Sequence, residues 1–370
     1  MKYYVIAGEA SGDLHGSNLI KELGKLDSSA EFRVWGGELM KAAGGDLIKH
    51  YKNLAFMGFL EVILNLRTIY KNLSFCKKDI INFTPDCIIF IDYPGFNLRI
   101  AKWAKSKGIK THYYISPQIW AWKENRIKNI KRDIDHMYVI LPFEQAFYQK
   151  KHKMPVNFVG HPLIDAISSR KKLIKQDFIR GHNLSKKPII ALLPGSRKQE
   201  IRKMLKIMLS ITDDFPEYQF VIAGAPSQND IFYKSFIKSK SVKFVNNSTY
   251  DLLNFSKAAL VTSGTATLET ALFKVPQVVC YKSSWISYQI GKRLIKLNFI
   301  SLVNLIMDRD VVCELIQNKL NQKNLTQELK KILVPLRESE LKSDYENLQK
   351  QLGGKGASEK VASLVFKSLI

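Results

Sequence analysis

Cysteine is scarce in this chain, and the few present do not group. Cys76, Cys87, Cys280 and Cys313 stand far apart with no C-x-x-C pair, which argues against a zinc ribbon or a disulfide framework and fits a reducing compartment. Acid is also scarce: 33 Asp and Glu face 57 Lys and Arg, for a formal net charge of +24. No apolar run reaches the roughly 20 residues that a membrane-spanning helix needs. Met1-Lys2 leads directly into a strand pattern, so no signal peptide is expected. A Walker G-K-[ST] loop, a G-x-G-x-x-G turn with its dinucleotide acid, a G-x-S-x-G elbow and a His/Asp/Glu metal triad are all missing. ATP hydrolysis, NAD chemistry and serine hydrolysis lose ground accordingly, and neither a metal nor a cofactor is expected.

What is present is a globular composition, 46% hydrophobic and 24% charged over 370 residues, enough for two domains with real cores. Lysine supplies 45 of the 57 cations. That excess reads either as compositional bias on solvated helix faces or as attraction to an acidic partner. With no RNA-recognition signature, zinc finger or basic tail, an anionic membrane surface or a small phosphate fits better than nucleic acid.

Strand-like runs alternate with helical patterns almost throughout, the mark of parallel sheets covered by helices. The first half has strand patterns near Tyr3–Ala7, Glu31–Val34, Cys87–Asp92, Thr111–Ile115, His136–Leu141 and Asn157–Val159. In the second half they fall near Ile189–Leu193, Gln219–Ala223, Lys243–Val245, Ala259–Thr262 and Gln277–Tyr281. A charged stretch over Ser168–Gln176 marks a hinge. The expectation is α/β: two Rossmann-like, doubly wound domains facing a cleft. Residues 1–167 form an N-terminal domain with 340–370 packing back on it, and residues 168–339 form the C-terminal domain.

Phosphate-style turns occur in both halves. One is Gly8-Glu9-Ala10-Ser11-Gly12-Asp13; the others are Pro194-Gly195-Ser196-Arg197 and Ser263-Gly264-Thr265-Ala266-Thr267. Each joins a strand to a helix N-terminus, where unpaired N–H groups and the positive dipole end suit a phosphate. Glu9 would repel a phosphate, so it reads as an acceptor for sugar hydroxyls or as a capping acid. Arg197 reads as a diphosphate ligand through its planar fork, or as a surface arginine. Glu269 suits a ribose diol, or is an acid placed for the helix dipole. Asp92 ends an apolar strand and is either a general base lifted by partial burial or an ordinary Asp-x-Pro-Gly turn residue. His161, in Gly160-His161-Pro162, is a ligand contact or a structural hinge residue. The aromatic run Tyr113–Trp122 lines a site or fills a core.

The segment AFMGFLEVILNLRTIY, residues 55–70, is apolar on most of its helical circumference, with Met57, Phe59, Leu60, Ile63 and Leu64 among the greasy positions. It reads as a buried core or dimer helix, or as a lip that dips into a membrane interface and receives acyl chains; we expect the lip. Arg67, Lys71, Lys77 and Lys78 follow it. Arg202–Met208 mixes cations with apolar side chains and is a second candidate lip.

In their order, Gly8–Asp13, Tyr114–Trp122, Gly160-His161-Pro162, Leu193–Arg197 and Ser263–Glu269 resemble the motifs of lipid-A-disaccharide synthases, a match running from the first strand to Ser301-Leu302-Val303-Asn304. The resemblance implies a GT-B glycosyltransferase, peripheral on the cytoplasmic face of the inner membrane of a Gram-negative bacterium. It would join UDP-2,3-diacylglucosamine to 2,3-diacylglucosamine 1-phosphate (lipid X), inverting to a β-1′,6-linked disaccharide and releasing UDP. It implies Asp92 as catalytic base. The donor site would hold Arg197, Ser263, Gly264, Thr265, Thr267, Glu269 and Asn304, and the acceptor site Glu9, Ser11, Trp120 and His161. A homodimer is one assembly the apolar segment would suit. Two departures stand out. Gly95 replaces the second acid of the family's Asp-Ala-Pro-Asp-Phe-Asn stretch, and Val303 replaces a proline. The competing readings are a UDP-sugar 2-epimerase or soluble-acceptor transferase, and a nucleic-acid-binding protein driven by charge.

Overall fold

A computed structural model describes residues 1–54, 66–170, 173–225, 228–237, 242–284, 288–289 and 297–370. The chain divides into two compact units: Met1–Ser169 with Leu352–Ile370, and Arg170–Gln351. The return to the first unit therefore comes at Leu352, not at 340. Helix Pro335–Gln351 stays with the second unit, burying Leu341, Tyr345 and Leu348 there, and the last helix, Ala357–Leu369, follows Gly353-Gly354-Lys355-Gly356.

Among the described residues, unit 1 holds one sheet of seven parallel strands: β1 (Lys2–Ala7), β2 (Glu31–Gly36), β3 (Asp46–His50), β4 (Cys87–Ile91), β5 (Lys110–Tyr114), β6 (His136–Val139) and β7 (Asn157–Phe158). Their spatial order is β3-β2-β1-β4-β5-β6-β7. Every residue of β4 is buried, as expected of a central parallel strand covered by helices on both faces. Side chains such as Ile88 and Phe90 each contribute about 1.5–3 kcal/mol by leaving water. One face packs Tyr4, Trp35, Phe90, Phe96 and Tyr113 into a continuous core.

Unit 2 repeats the plan with β8 (Ile189–Leu193), β9 (Gln219–Gly224), β10 (Val242–Asn246), β11 (Ser256–Thr262), β12 (Gln277–Tyr281) and β13 (Cys313–Ile316), in the order β10-β9-β8-β11-β12-β13. Its core gathers Phe178, Ile189, Val221, Leu252 and Val261.

The strand orders carry the functional geometry. In unit 1 the chain winds outward from β1 through β2 to β3, then restarts at β4 on the other side of β1. In unit 2 it winds from β8 to β10, then restarts at β11. Each reversal opens a crevice at the carboxyl ends of the two central strands, where open α/β sheets bind ligands.

The candidate lip at Arg202–Met208 lies in helix Lys198–Leu209, whose Met204, Leu205 and Met208 are buried; its exposed residues there are Arg202, Lys203 and Lys206, so it is no lip. Met57, Phe59, Leu60, Ile63 and Leu64 fall outside the described residues. No helix among the described residues is long and apolar enough to cross a membrane.

Candidate active site

The turns singled out in the sequence lie at these reversals. In unit 1, Gly8 and Glu9 follow β1, and Asp92 and Tyr93 follow β4. The two turns pack tightly. A Cβ on Gly8 would stand 2.3 Å from the Tyr93 ring, so glycine is required for close approach. The Tyr93 hydroxyl in turn donates to the Leu54 carbonyl at 2.9 Å.

Asp92 and Tyr93 are consecutive left-handed residues, with φ of 45° and 49°. Side chains that are not glycine resist this region, and such strain persists only where the surroundings over-determine it. Here the Asp92 carbonyl accepts from the Tyr113 hydroxyl at 2.6 Å and from Asn97 Nδ2 at 2.7 Å. The Asp92 N–H donates to the Tyr114 carbonyl at 3.1 Å, prolonging the β4–β5 ladder by one step. The half-buried carboxyl is raised from 3.8 to about 7, first by burial and then by the negative charges of Glu9 and Glu144. A carboxylate tuned near neutrality has the proton affinity of a general base.

Glu9 is the N-cap residue of helix Ala10–Leu26, whose first turn carries the exposed Ser11. Asp13, the other acid of this turn, points elsewhere. Its buried carboxylate accepts from the N–H groups of Gly37 (2.7 Å), Met40 (3.0 Å) and Leu39 (3.2 Å), closing the start of helix Glu38–Ala42. The segment after β5 places Ser116 and Trp120, both held by Glu144: Ser116 Oγ donates at 2.7 Å and Trp120 Nε1 at 3.0 Å. Glu144 escaped the sequence reading, although Pro142 and Glu144 stand at the first and third positions of a helix, a spacing that signals a capping acid.

His161 is a correction. It is buried and caps helix Pro162–Ser168, its Nδ1 accepting from the Leu163 N–H at 3.2 Å. Its own N–H donates to the Leu352 carbonyl at 2.9 Å. Burial, reinforced by His15, lowers its pKa to about 3, so it is a neutral joint of the fold.

In unit 2 the turn after β8 is shaped by Glu200, whose Oε2 accepts from the Ser196 N–H at 3.1 Å. Gly195 has φ of +98°, and a Cβ there would stand 2.1 Å from that same oxygen, so only glycine fits. Arg197 is the exposed N-cap residue of helix Lys198–Leu209. After β11, Ser263 continues the ladder to the Cys280 carbonyl and ties its hydroxyl to the Ile300 carbonyl at 2.8 Å. Exposed Gly264 and Thr265 then open helix Thr265–Leu272. Inside that helix, Glu269 accepts from the Tyr250 hydroxyl at 2.7 Å on one oxygen. Burial raises its pKa, and the Tyr250 bond opposes the rise. The Arg170 guanidinium lies over the Tyr250 ring, 5.1 Å from its centroid, and pairs with Asp251.

Two donor-site assignments are corrected here. Thr267 is 0% exposed, and its hydroxyl bonds the Gly264 carbonyl at 2.8 Å. Asn304 is also 0% exposed, with both ends of its amide engaged. Its Oδ1 accepts from the N–H groups of Val311 and Val312, each at 2.9 Å; its Nδ2 donates to the Val312 carbonyl at 2.9 Å and to Glu314 at 3.0 Å. Burial keeps Thr267 from a nucleotide, and the Asn304 amide has no hydrogen-bonding capacity left for one. Glu314 also accepts from the N–H groups of Ile300 and Ser301, each at 2.9 Å, so Ser301–Asn304 is a buried joint against β13. Among the described residues no group of three or more His, Cys, Asp or Glu is placed to hold a metal ion.

Unit by unit, then, each sheet reversal carries polar groups: Glu9, Ser11 and Asp92 in the first, with Trp120 on the segment after β5, and Arg197, Ser263, Gly264, Thr265 and Glu269 in the second. The family model described as lipid-A-disaccharide synthetase matches residues 3–367. The lipid-A-disaccharide synthase of Geobacter metallireducens is 38% identical over 372 residues, covering 99% of this chain and 96% of the relative. That of Coxiella burnetii is 41% identical over 337 residues, covering 89% and 88%. Among solved structures, the UDP-GlcNAc 2-epimerase of Neisseria meningitidis bound to UDP-GlcNAc aligns with a TM-score of 0.72 at 14% identity, covering 99% of this chain and 100% of that one. The glycosyltransferase of kitacinnamycin aligns at 0.66 and 11% identity, covering 100% and 99%. These two likenesses speak for the fold, two Rossmann-like domains of the GT-B kind. The near-complete match to the family model and the identity to full-length relatives go further: the chain belongs to the lipid-A-disaccharide synthase family, glycosyltransferases of lipid A biosynthesis.

Proposed function

We propose that the enzyme transfers the sugar of UDP-2,3-diacylglucosamine to the 6-hydroxyl of 2,3-diacylglucosamine 1-phosphate (lipid X) with inversion. Asp92 takes the hydroxyl proton as the oxygen attacks the anomeric carbon. The new C1′–O6 bond forms while the bond to the diphosphate breaks, and its electron pair leaves on UDP. One displacement turns an α-linked donor into a β-1′,6 product, with no covalent enzyme intermediate. The observation that carries this reading is Asp92: a carboxylate with a pKa raised to about 7, carried at the sheet reversal on a stretch of backbone that is left-handed and clamped at its carbonyl.

On the donor side, Arg197 and the start of helix Thr265–Leu272 stabilise the charge that builds on UDP, a preorganised electrostatic contribution of several kcal/mol. Ser263, Gly264 and Thr265 supply hydrogen-bonding groups there. Glu269 keeps one oxygen on Tyr250 and offers the other to the ribose diol. On the acceptor side, Glu9, Ser11 and Trp120 contact the sugar of lipid X. The net charge of +24 favours peripheral attachment to the anionic cytoplasmic face of the inner membrane.

The test is UDP release from UDP-2,3-diacylglucosamine in detergent, with and without lipid X. Release that requires lipid X and yields a disaccharide is expected, and Asp92→Asn should lose about 10²–10⁴-fold in rate while still binding UDP. Acceptor-independent release, or epimerisation of the donor sugar, would overturn the reading.

A further inference from the structure

Glu144 is 1% exposed, and its two oxygens receive four donors. Oε2 takes the N–H groups of Ile140 at 3.2 Å and Leu141 at 3.0 Å, the usual work of an acid at a helix start. Oε1 does something a cap does not need. It reaches another segment, taking the Ser116 hydroxyl at 2.7 Å and the Trp120 indole N–H at 3.0 Å. Burying a carboxylate costs several kcal/mol unless its oxygens are bonded, and burial does push this carboxyl above its usual range. A glutamine, with one acceptor oxygen in place of two, could not serve both the helix start and the loop.

The loop it holds begins where β5 ends, beside β4, whose end carries Asp92; Ile91 is in register with Tyr114. Trp120 is only half-buried, its ring meeting Phe143 edge-on at 4.8 Å and 83°. Tyr148 adds a second tether, its hydroxyl donating to the Pro117 carbonyl at 3.3 Å. The loop is thus fixed at the carboxyl end of the sheet from which Asp92 works, and an aromatic face is suited to the apolar face of a sugar ring.

We propose that Glu144 is a positioning residue for the acceptor: by holding the Ser116 hydroxyl and the Trp120 indole on one oxygen, it sets where the acceptor sugar lies against Asp92. This inference rests on the transfer reading above.

The experiment is steady-state kinetics on the full chain, varying each substrate separately, for Trp120→Phe, Glu144→Gln and the double variant, with melting curves alongside. Trp120→Phe keeps a ring but removes the donor. It should raise KM for lipid X about tenfold and leave the donor KM unchanged, with only a small fall in melting temperature from the one lost internal hydrogen bond. Made on top of Glu144→Gln, the same substitution should have little further effect, because the two act through one bond. Should Glu144→Gln not fold, Ser116→Ala takes its place as the second probe, again with a rise confined to the acceptor KM. Equal rises for both substrates together with a lower melting temperature would make Glu144 merely structural and overturn the inference. Wild-type turnover with unchanged acceptor KM in the variants overturns it alone. A wild type that cannot turn over lipid X overturns the transfer reading and this inference with it.

Discussion

Asp92 shows how one carboxylate is made more basic, by burial and by like charges near it. Burial and two neighbouring acids favour its protonated form, and a base acts only when ionised. We therefore expect kcat/KM to rise with pH through about 7 and then level off, a limb that Asp92→Asn should remove. The same shift acts on stability in the opposite sense. The folded state holds this proton more tightly than the unfolded chain, so the contribution is full below pH ~4 and is lost as pH climbs through about 7. Asp92→Asn should accordingly raise the melting temperature at pH 8 more than at pH 5; an equal change at both would count against the raised pKa. The place of Asp92 at the carboxyl end of the sheet was legible in the sequence because it closes an unbroken apolar strand. Thr267, Asn304 and His161 were misread for a physical reason. A polar residue that satisfies buried backbone has the same letter as one that meets a ligand, and only burial and partners separate them. Glu144 was hidden because its second function runs to a loop more than twenty residues earlier in the chain.

At the scale of elements, the central strands declared themselves as continuous apolar runs, and the structure places them close to the expected positions. The two that escaped are edge strands. β3, Asp-Leu-Ile-Lys-His, has no fully buried residue, and β13, Cys-Glu-Leu-Ile, has one. Short edge strands need no unbroken apolar run, since they are covered less. The last helix, Ala357–Leu369, packs against Ala10–Leu26 and is started by a residue far away in sequence: Asp165 accepts from the N–H of Gly356 at 2.7 Å and of Ser358 at 3.1 Å. Asp165→Ala should cost about 1–2 kcal/mol, as the loss of a cap does, seen as a lower melting temperature and faster amide exchange in 357–369. Unchanged exchange there would show that packing alone seats the helix.

For the whole molecule, the division into two units is not the division of the sequence into halves. Unit 1 is discontinuous, completed by residues 352–370. Removing those residues should speed amide exchange in β1 and β4 and leave β8 and β11 protected; uniform loss of protection would mean that the units unfold together. Discontinuity also has a consequence during synthesis. The ribosome makes residues 1–169 first, yet the helix that covers Ala10–Leu26 emerges only after all of 170–351 has been translated. At ~5–20 residues per second that is a wait of roughly 10–40 s. Throughout it the nascent first domain carries an open apolar seam while the second domain, complete in itself, is free to fold. Residues 352–370, made after the whole of the second unit, are therefore the ones that close the unit made before it.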